Sequence, residues 1–506
     1  MTPHAGSQPS TSRPVAGQPA APRARNAALA LLTMAQFLVV IDASVINVAL
    51  PPIAKSLHFT ESSLSWVVNA YTLALGGLLL LGGRLADRLG RRRMFMAGLA
   101  LFGVASLLGG LAPTAGWLIA GRALQGVGAA LVSPAALSLL TVTFTEGKER
   151  NRALGIWGAA TGAGGAAGVL LGGVITSGIG WRWVLFVNVP VSLVVALLAL
   201  RLLAESAERG TAQGFGVTSA VTVTAGLCLV VYAAVDAESA GWGSAATLGG
   251  FAGGAVLIAA FLVLQARSRS PLMPLSIFRL PTLRGANVVA LLLNLGLLAM
   301  FFFLSLYMGE VLHYDAMAIG VAYLPLTVSI LVAANAAGRL AGSLGLRTTL
   351  VGGLACLFLG LAWFTRISAP GGSYAADLLG PCLLAGIGFG GAVVPLTIAA
   401  VHGAPAKDSG LASGLFNTTQ QIGGALGLGI LASVAATTTS RAGASSRAEA
   451  LTEGFRAAFG VAAACVLLGI VAAFVLMAGR GDPLARHGEE AGAGAPAEAA
   501  PAHPAR

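Results

Sequence analysis

Two charged side chains stand deep inside runs that otherwise carry none: Asp42, in a run beginning near residue 27, and Arg122, in a run beginning near residue 115. A carboxyl group in such a setting can take up and release a proton, because burial disfavours its charge while a nearby guanidinium favours it. An isolated charge in hydrocarbon costs at least ~2.5–3.5 kcal/mol, so both are expected to face the interior of a helix bundle and to meet, directly or through a polar bridge. Antiparallel packing puts each about seven residues from the same end, ~10 Å deep at ~1.5 Å per residue. The expected chemistry is reversible protonation of Asp42 tuned by Arg122. A static buried pair that only fastens two helices together is the alternative.

Amides are the other polar groups within apolar runs. Asn47, Gln125, Asn294, Asn417, Gln420 and Gln421 are candidates to line a substrate cavity, although single amides also bond helix to helix. Asn417, Gln420 and Gln421 share one helix face by their i, i+3, i+4 spacing. Trp66, Tyr71, Trp157, Phe301, Phe302, Phe303 and Tyr307 can touch an aromatic ligand, but lipid-facing or interfacial anchoring is expected for most of them. The six histidines are scattered through tails and loops, which argues against an enzyme. The four cysteines sit in apolar segments, as packing residues rather than disulfide partners or metal ligands. No Walker-type phosphate loop occurs, so ATP is not the expected fuel.

The elements that must hold these groups are membrane helices. Only 10% of the 506 residues are charged, 56% are hydrophobic and mean hydropathy is +0.83, too apolar for an ordinary aqueous surface. A spanning helix needs ~20 mostly apolar residues. Uncharged runs lie near 27–49, 65–83, 94–112, 115–140, 153–177, 183–203, 217–235, 247–266, 285–308, 318–338, 348–365, 375–398, 410–436 and 458–479. Fourteen runs put both tails, 1–26 and 480–506, on one side as disordered segments. Short loops that stay cytoplasmic collect Lys and Arg. Of the 30 basic residues, Lys55, Arg182, Arg366, Arg441, Arg447 and Arg456 face outward and Arg122 is in the membrane, leaving 23 inside if both termini are cytoplasmic. The sequence pI near 10.2 therefore reflects topology and anionic lipid rather than nucleic acid.

Five segments carry a family pattern. In GGRLADRLGRRR, residues 82–93, Gly83 and Gly90 permit a tight reversal while Asp87 lies among Arg88, Arg91 and their neighbours, a latch for the inner face. This loop resembles the signature loop of the major facilitator superfamily. IDASVINVALP (41–51), GRALQGVGAAL (121–131), WRWVLFVNVP (181–190) and SGLFNTTQQIGGALGLGIL (413–431) are similar to motifs of its fourteen-helix drug:proton antiporter branch. Gly168, Gly172 and Gly173 align with the antiporter motif of the fifth helix, but Val169 stands where that motif carries proline. Its glycines still let helices approach closely.

The resemblance implies an all-α membrane fold of two six-helix bundles, 27–203 and 284–479, with two extra central helices within 204–283. It also implies a monomer in the bacterial cytoplasmic membrane that exports small lipophilic molecules, cations among them, in exchange for protons. The proton gradient is its energy source, no cofactor is needed, and protonation and drug binding favour different orientations of the bundles. A proton-coupled transporter of one narrow metabolite, such as a siderophore or amino acid, is the rival reading.

Overall fold

The structure is a computed structural model that describes residues 22–144, 148–203, 205, 217–268, 271, 281–368, 372–401, 409–444 and 446–477. Among the described residues every regular element is helical. The first part of the chain forms α1 (Pro22–Leu57), α2 (Glu61–Leu89), α3 (Arg91–Gly110), α4 (Ala115–Thr143), α5 (Lys148–Gly178), α6 (Trp183–Phe186) and α7 (Asn188–Leu202). Next come α8 (Val217–Ala240) and α9 (Ala245–Arg267). The last part forms α10 (Pro281–Leu306), α11 (Ala316–Ala322), α12 (Leu324–Ser343), α13 (Leu346–Phe364), α14 (Gly380–Val401), α15 (Ser409–Arg441) and α16 (Arg447–Leu476). A π-helical turn, Tyr307–Val311, prolongs α10, and another, Tyr374–Leu379, leads into α14.

Among the described residues twelve helical segments are long and apolar enough to cross a membrane, with α6–α7 and α11–α12 each counted as one. The described apolar stretches of α5 and α8, Ala167–Gly178 and Thr218–Ala234, are shorter and belong to helices of spanning length. The chain is thus a multi-pass membrane protein, all-α in fold. Several helices outrun the uncharged runs that mark them. The helix α1 begins at Pro22 and continues through Pro51 and Pro52 to Leu57. Residues 22–26, expected in a disordered tail, are therefore helical, because a helix leaving the apolar slab can keep its backbone bonds and place its charges in the headgroup layer. The remainder of that tail and the segment 480–506 lie outside the described residues.

Five of the helix starts are fixed by side-chain caps. Thr60 and Ser63 form a reciprocal capping box at α2, and Thr114, Ser244, Asp315 and Ser446 each accept a backbone N–H at the start of their helices. Between α2 and α3 the chain turns on Gly90 alone, whose φ of 110° only glycine adopts without strain.

Packing follows one scheme twice. In the first part α1 lies against α5 and α7, while α4 packs on α2 and α3, and α3 on α7. In the last part α10 lies against α15 and α16, while α14 packs on α12 and α13, and α13 on α16. These two six-helix halves meet where α2 packs on α15, α5 on α11 and α12, and α1 on α10 and α11. The helix α8 packs on both α2 and α15, and α9 packs on α8. Aromatic rings fill the second half: Phe303 lies 5.6 Å from Phe455 and 6.3 Å from Phe459, which stacks at 5.0 Å on Phe364. Tyr71, Phe302, Phe303 and Tyr307 are buried, which corrects the expectation that most of the seven candidate aromatic residues anchor at the lipid surface. Phe302 and Phe303 meet edge to face at 5.3 Å, and the Tyr307 hydroxyl donates to the Ser368 carbonyl at 2.6 Å. The cysteines are free thiols, Cys382 buried and Cys228, Cys356 and Cys465 half-buried.

Candidate functional site

Asp42 and Arg122 meet in the core of the first half. Both are fully buried, and Arg122 Nη1 donates to Asp42 Oδ2 at 2.6 Å. The other carboxylate oxygen, Oδ1, accepts Nε2 of Gln125 at 3.0 Å and Nδ2 of Asn188 at 2.6 Å. Four helices thereby converge on one carboxylate: α1 supplies it, α4 supplies Arg122 and Gln125, α7 supplies Asn188, and α3 supplies Ser106, which accepts from Gln125 Nε2 at 2.8 Å. From α2, the Val67 carbonyl accepts Arg122 Nε at 3.0 Å, and the Tyr71 ring lies 4.4 Å from the guanidinium carbon.

A buried anion needs charge compensation and hydrogen-bond donors together. Here a guanidinium and two amides supply them, and the guanidinium is in turn held by a carbonyl, the Gln125 Oε1 acceptor at 3.0 Å and an aromatic face. Two polar atoms of this cluster have no partner, Arg122 Nη2 and Asn188 Oδ1.

The candidate cavity amides separate. Gln125 is fully buried and committed to Asp42, Arg122 and Ser106, which corrects its expected place on a substrate cavity. It follows Arg122 by three residues and so shares its helix face. Asn47 is buried as well, its Nδ2 donating to the Ala43 carbonyl at 3.1 Å. Asn294 is half-buried and donates to the Ala290 carbonyl at 2.9 Å. Gln420 and Gln421 are half-buried and Asn417 exposed on α15. Gln421 sits at the α2 seam, its Cβ 2.6 Å from where a Cβ on Gly76 would stand.

The glycines of α5 are split between two neighbours. A Cβ at Gly168 would lie 2.7 Å from Ser44 Cβ and 3.0 Å from the Ile41 carbonyl oxygen, and one at Gly172 would lie 2.9 Å from the Val45 carbonyl oxygen. Both therefore seat α5 on the stretch of α1 that carries Asp42. Gly173 faces the other half, where a Cβ would lie 2.8 Å from the Ala316 carbonyl oxygen and 3.4 Å from Gly320 Cα. With Val169 in place of proline, α5 is a continuous helix from Lys148 to Gly178.

At the α2–α3 corner Asp87 accepts Arg91 Nε at 3.0 Å and Nη2 at 2.9 Å. Gly83 faces Pro134 of α4, whose Cβ lies 3.6 Å from a Cβ built on the glycine. Arg88 occupies the last turn of α2. The sequence reading missed Glu205, just beyond α7. Its carboxylate accepts the Arg92 backbone N–H at 3.2 Å, lies 3.9 and 3.7 Å from the Arg92 and Arg93 guanidinium groups, and fills the space beside Gly90. An acid just past an apolar run and opposite a run of arginines was the available signal. Asn188 and Ser106 were missed too. Asn188 lies within the WRWVLFVNVP segment, and its partner is 146 residues away.

Over residues 32–428 the chain matches the Major Facilitator Superfamily. It is 44% identical over 416 residues to the cephamycin export protein of Amycolatopsis lactamdurans, across 82% of this chain and 85% of that protein. It is 39% identical over 460 residues to the puromycin resistance protein of Streptomyces alboniger, across 89% and 91%. Among solved structures, a bacterial homologue of the human lysosomal transporter Spinster, inward-facing and unoccupied, aligns with a TM-score of 0.63 at 16% identity, over 90% of this chain and 97% of that one, a likeness of fold. The chain belongs to the major facilitator superfamily.

Proposed function

We propose that this protein exports small lipophilic, antibiotic-like molecules in exchange for protons, with Asp42 as the proton-carrying group and Arg122 as its electrostatic partner. The relatives named for cephamycin export and puromycin resistance support the substrate class. The observation that carries the proton assignment is a fully buried carboxylate on three donors, Arg122, Gln125 and Asn188.

Protonation removes the charge that holds Arg122 and converts one acceptor oxygen into a donor, so the four helices around Asp42 must rearrange. The helix α5 is seated on α1 through Gly168 and Gly172 and on α11 through Gly173, giving a path of direct contact from the carboxylate's helix to the opposite half. Proton binding and substrate binding then favour different arrangements of the halves, without sharing one cavity. One proton moving down ~100 mV and half a pH unit supplies ~3 kcal/mol, enough for a gradient on the order of a hundredfold in a neutral substrate. The distribution of Lys and Arg supports a cytoplasmic position for both termini, and the protein acts as a single chain.

The test is a susceptibility panel in a pump-deficient host, including puromycin and a cephamycin, with wild type and Asp42→Asn, paired with drug-driven proton release from purified protein. Wild type should protect and release protons on drug addition, and Asp42→Asn should do neither. Proton release that persists in Asp42→Asn removes this residue from the mechanism. A wild type that protects against nothing favours the narrow-metabolite reading.

A further inference from the structure

The donors on Asp42 differ in how firmly they are held. Gln125 is fixed at both ends of its amide: Oε1 accepts Arg122 Nη1 at 3.0 Å, and Nε2 donates to Ser106 Oγ at 2.8 Å as well as to Asp42. Turning it over would set an NH2 group against a guanidinium and lose the Ser106 bond. Arg122 is fixed by Val67, Gln125 and the Tyr71 ring, and it has no acceptor to offer. Asn188 is different. It is fully buried, its Nδ2 donates to Asp42 Oδ1 at 2.6 Å, and its own Oδ1 has no partner.

We propose that Asn188 is a reversible hydrogen-bond partner for Asp42, donating from Nδ2 to the carboxylate and, after a half-turn of its amide, accepting with Oδ1 from the protonated carboxyl. This rests on the reading of Asp42 as the proton carrier. In the charged state one amide bond is made and Oδ1 is unpartnered. In the protonated state the proton sits on Asp42 Oδ1, the new O–H donates to Asn188 Oδ1, and Nδ2 becomes the unpartnered atom. The half-turn therefore keeps the number of bonds constant, which neither Gln125 nor Arg122 achieves. Asn188 acts through Asp42, as a positioning residue, and it stands at the first turn of α7, so its amide reports the charge of α1 to a third helix. The other charged or titratable groups facing Asp42 are Arg122 from α4 and the Tyr71 phenol from α2, whose hydroxyl donates to the Val39 carbonyl at 3.3 Å. From α3 and α7 it meets only uncharged side chains, Ser106 through Gln125 and Asn188 directly.

The experiment follows the protonated-carboxyl C=O band of full-length purified protein by infrared difference spectroscopy across pH, with the band assigned by its loss in Asp42→Asn. Asn188→Leu removes the donor and the acceptor at similar size. Because Asn188 bonds the carboxyl group in both protonation states, its loss removes the stronger bond to the charged form and the weaker bond to the neutral form. The band's midpoint should therefore rise by no more than about one pH unit, and the band should move to higher frequency as the O–H loses its acceptor. A rise of about two units with an unchanged band frequency would mark a donor to the carboxylate alone and overturn the half-turn. Asn188→Ala carries the same expectation where leucine prevents folding, and Asn188→Gln, which retains an amide, should restore the midpoint to within about half a unit. A merely structural role would lower the unfolding temperature of the variants and leave the midpoint in place. An Asp42 band that titrates at the wild-type midpoint in both Asn188→Leu and Asn188→Ala overturns the inference while leaving Asp42 as proton carrier. An Asp42 band that never titrates in wild type overturns the proton-carrier reading itself.

Discussion

Alanine placed along α5 should change stability with opposite sign at different positions. At Gly168 the new methyl would lie 2.7 Å from Ser44 Cβ and 3.0 Å from the Ile41 carbonyl oxygen, and at Gly172 it would lie 2.9 Å from the Val45 carbonyl oxygen. Carbon atoms rest at ~3.5–4.0 Å, so α1 and α5 must separate by roughly 0.5–1 Å. Because backbone is among the obstructing atoms, no rotamer change relieves the clash. Overpacking of this kind costs ~1–3 kcal/mol. At Gly178, near the end of the same helix, nothing lies within 4 Å of the added atom. Replacing a helical glycine by alanine otherwise gains up to ~1 kcal/mol, a term that favours all three substitutions and cannot reverse their order. Gly178→Ala should be neutral or slightly stabilising, and Gly168→Ala and Gly172→Ala should be less stable than it by ~1–3 kcal/mol. Unfolding of the detergent-solubilised variants in SDS gives the comparison directly. Equal stability of Gly168→Ala and Gly178→Ala would refute the claim that α5 is seated on α1 by glycine contact.

Arg122→Lys keeps the charge but loses the Nε bond to Val67 and the planar stack on Tyr71, so stability should fall by ~1–2 kcal/mol and the pH dependence of dye efflux in vesicles should change even where the protein folds. Gly90→Ala puts a side chain at φ 110° against the Glu205 carboxylate and should cost ~1–2 kcal/mol in the same SDS unfolding assay. Glu205→Gln should cost less than ~1 kcal/mol, because its ion pairs with Arg92 and Arg93 are partly solvated.

The helices and the meeting of Asp42 with Arg122 were legible in the residues because hydrocarbon is a severe filter. A run without charge is rare outside membranes, and two lone charges at equal depth have few places to go but toward each other. Gln125 was misread as a cavity residue although it stands three residues after Arg122, a spacing that places both on one face of α4. Asn188 and Ser106 could not be singled out, because one amide or hydroxyl in an apolar helix looks the same whether it bonds its own backbone, as Asn294 does, or a carboxylate on another helix. What separates these cases is the rotation of α3 and α7 about their axes, set by packing over the whole half rather than by local pattern. Glu205 was lost for a related reason: its partners follow Gly90, and only the turn there brings Arg92 and Arg93 to the end of α7.

The placement of α8 makes the two flanks of the molecule mechanically unequal. Where α5 meets α11 and α12, Gly173 and Gly320 face each other in close backbone contact. Where α2 meets α15, a third helix lies across both, with Thr224 pressed so closely on Gly77 that a methyl group there would overlap it. Any change in spacing between α2 and α15 must also reseat α8, with α9 carried along on its back. The α2–α15 flank is thus braced by a third helix, as a splint braces a joint.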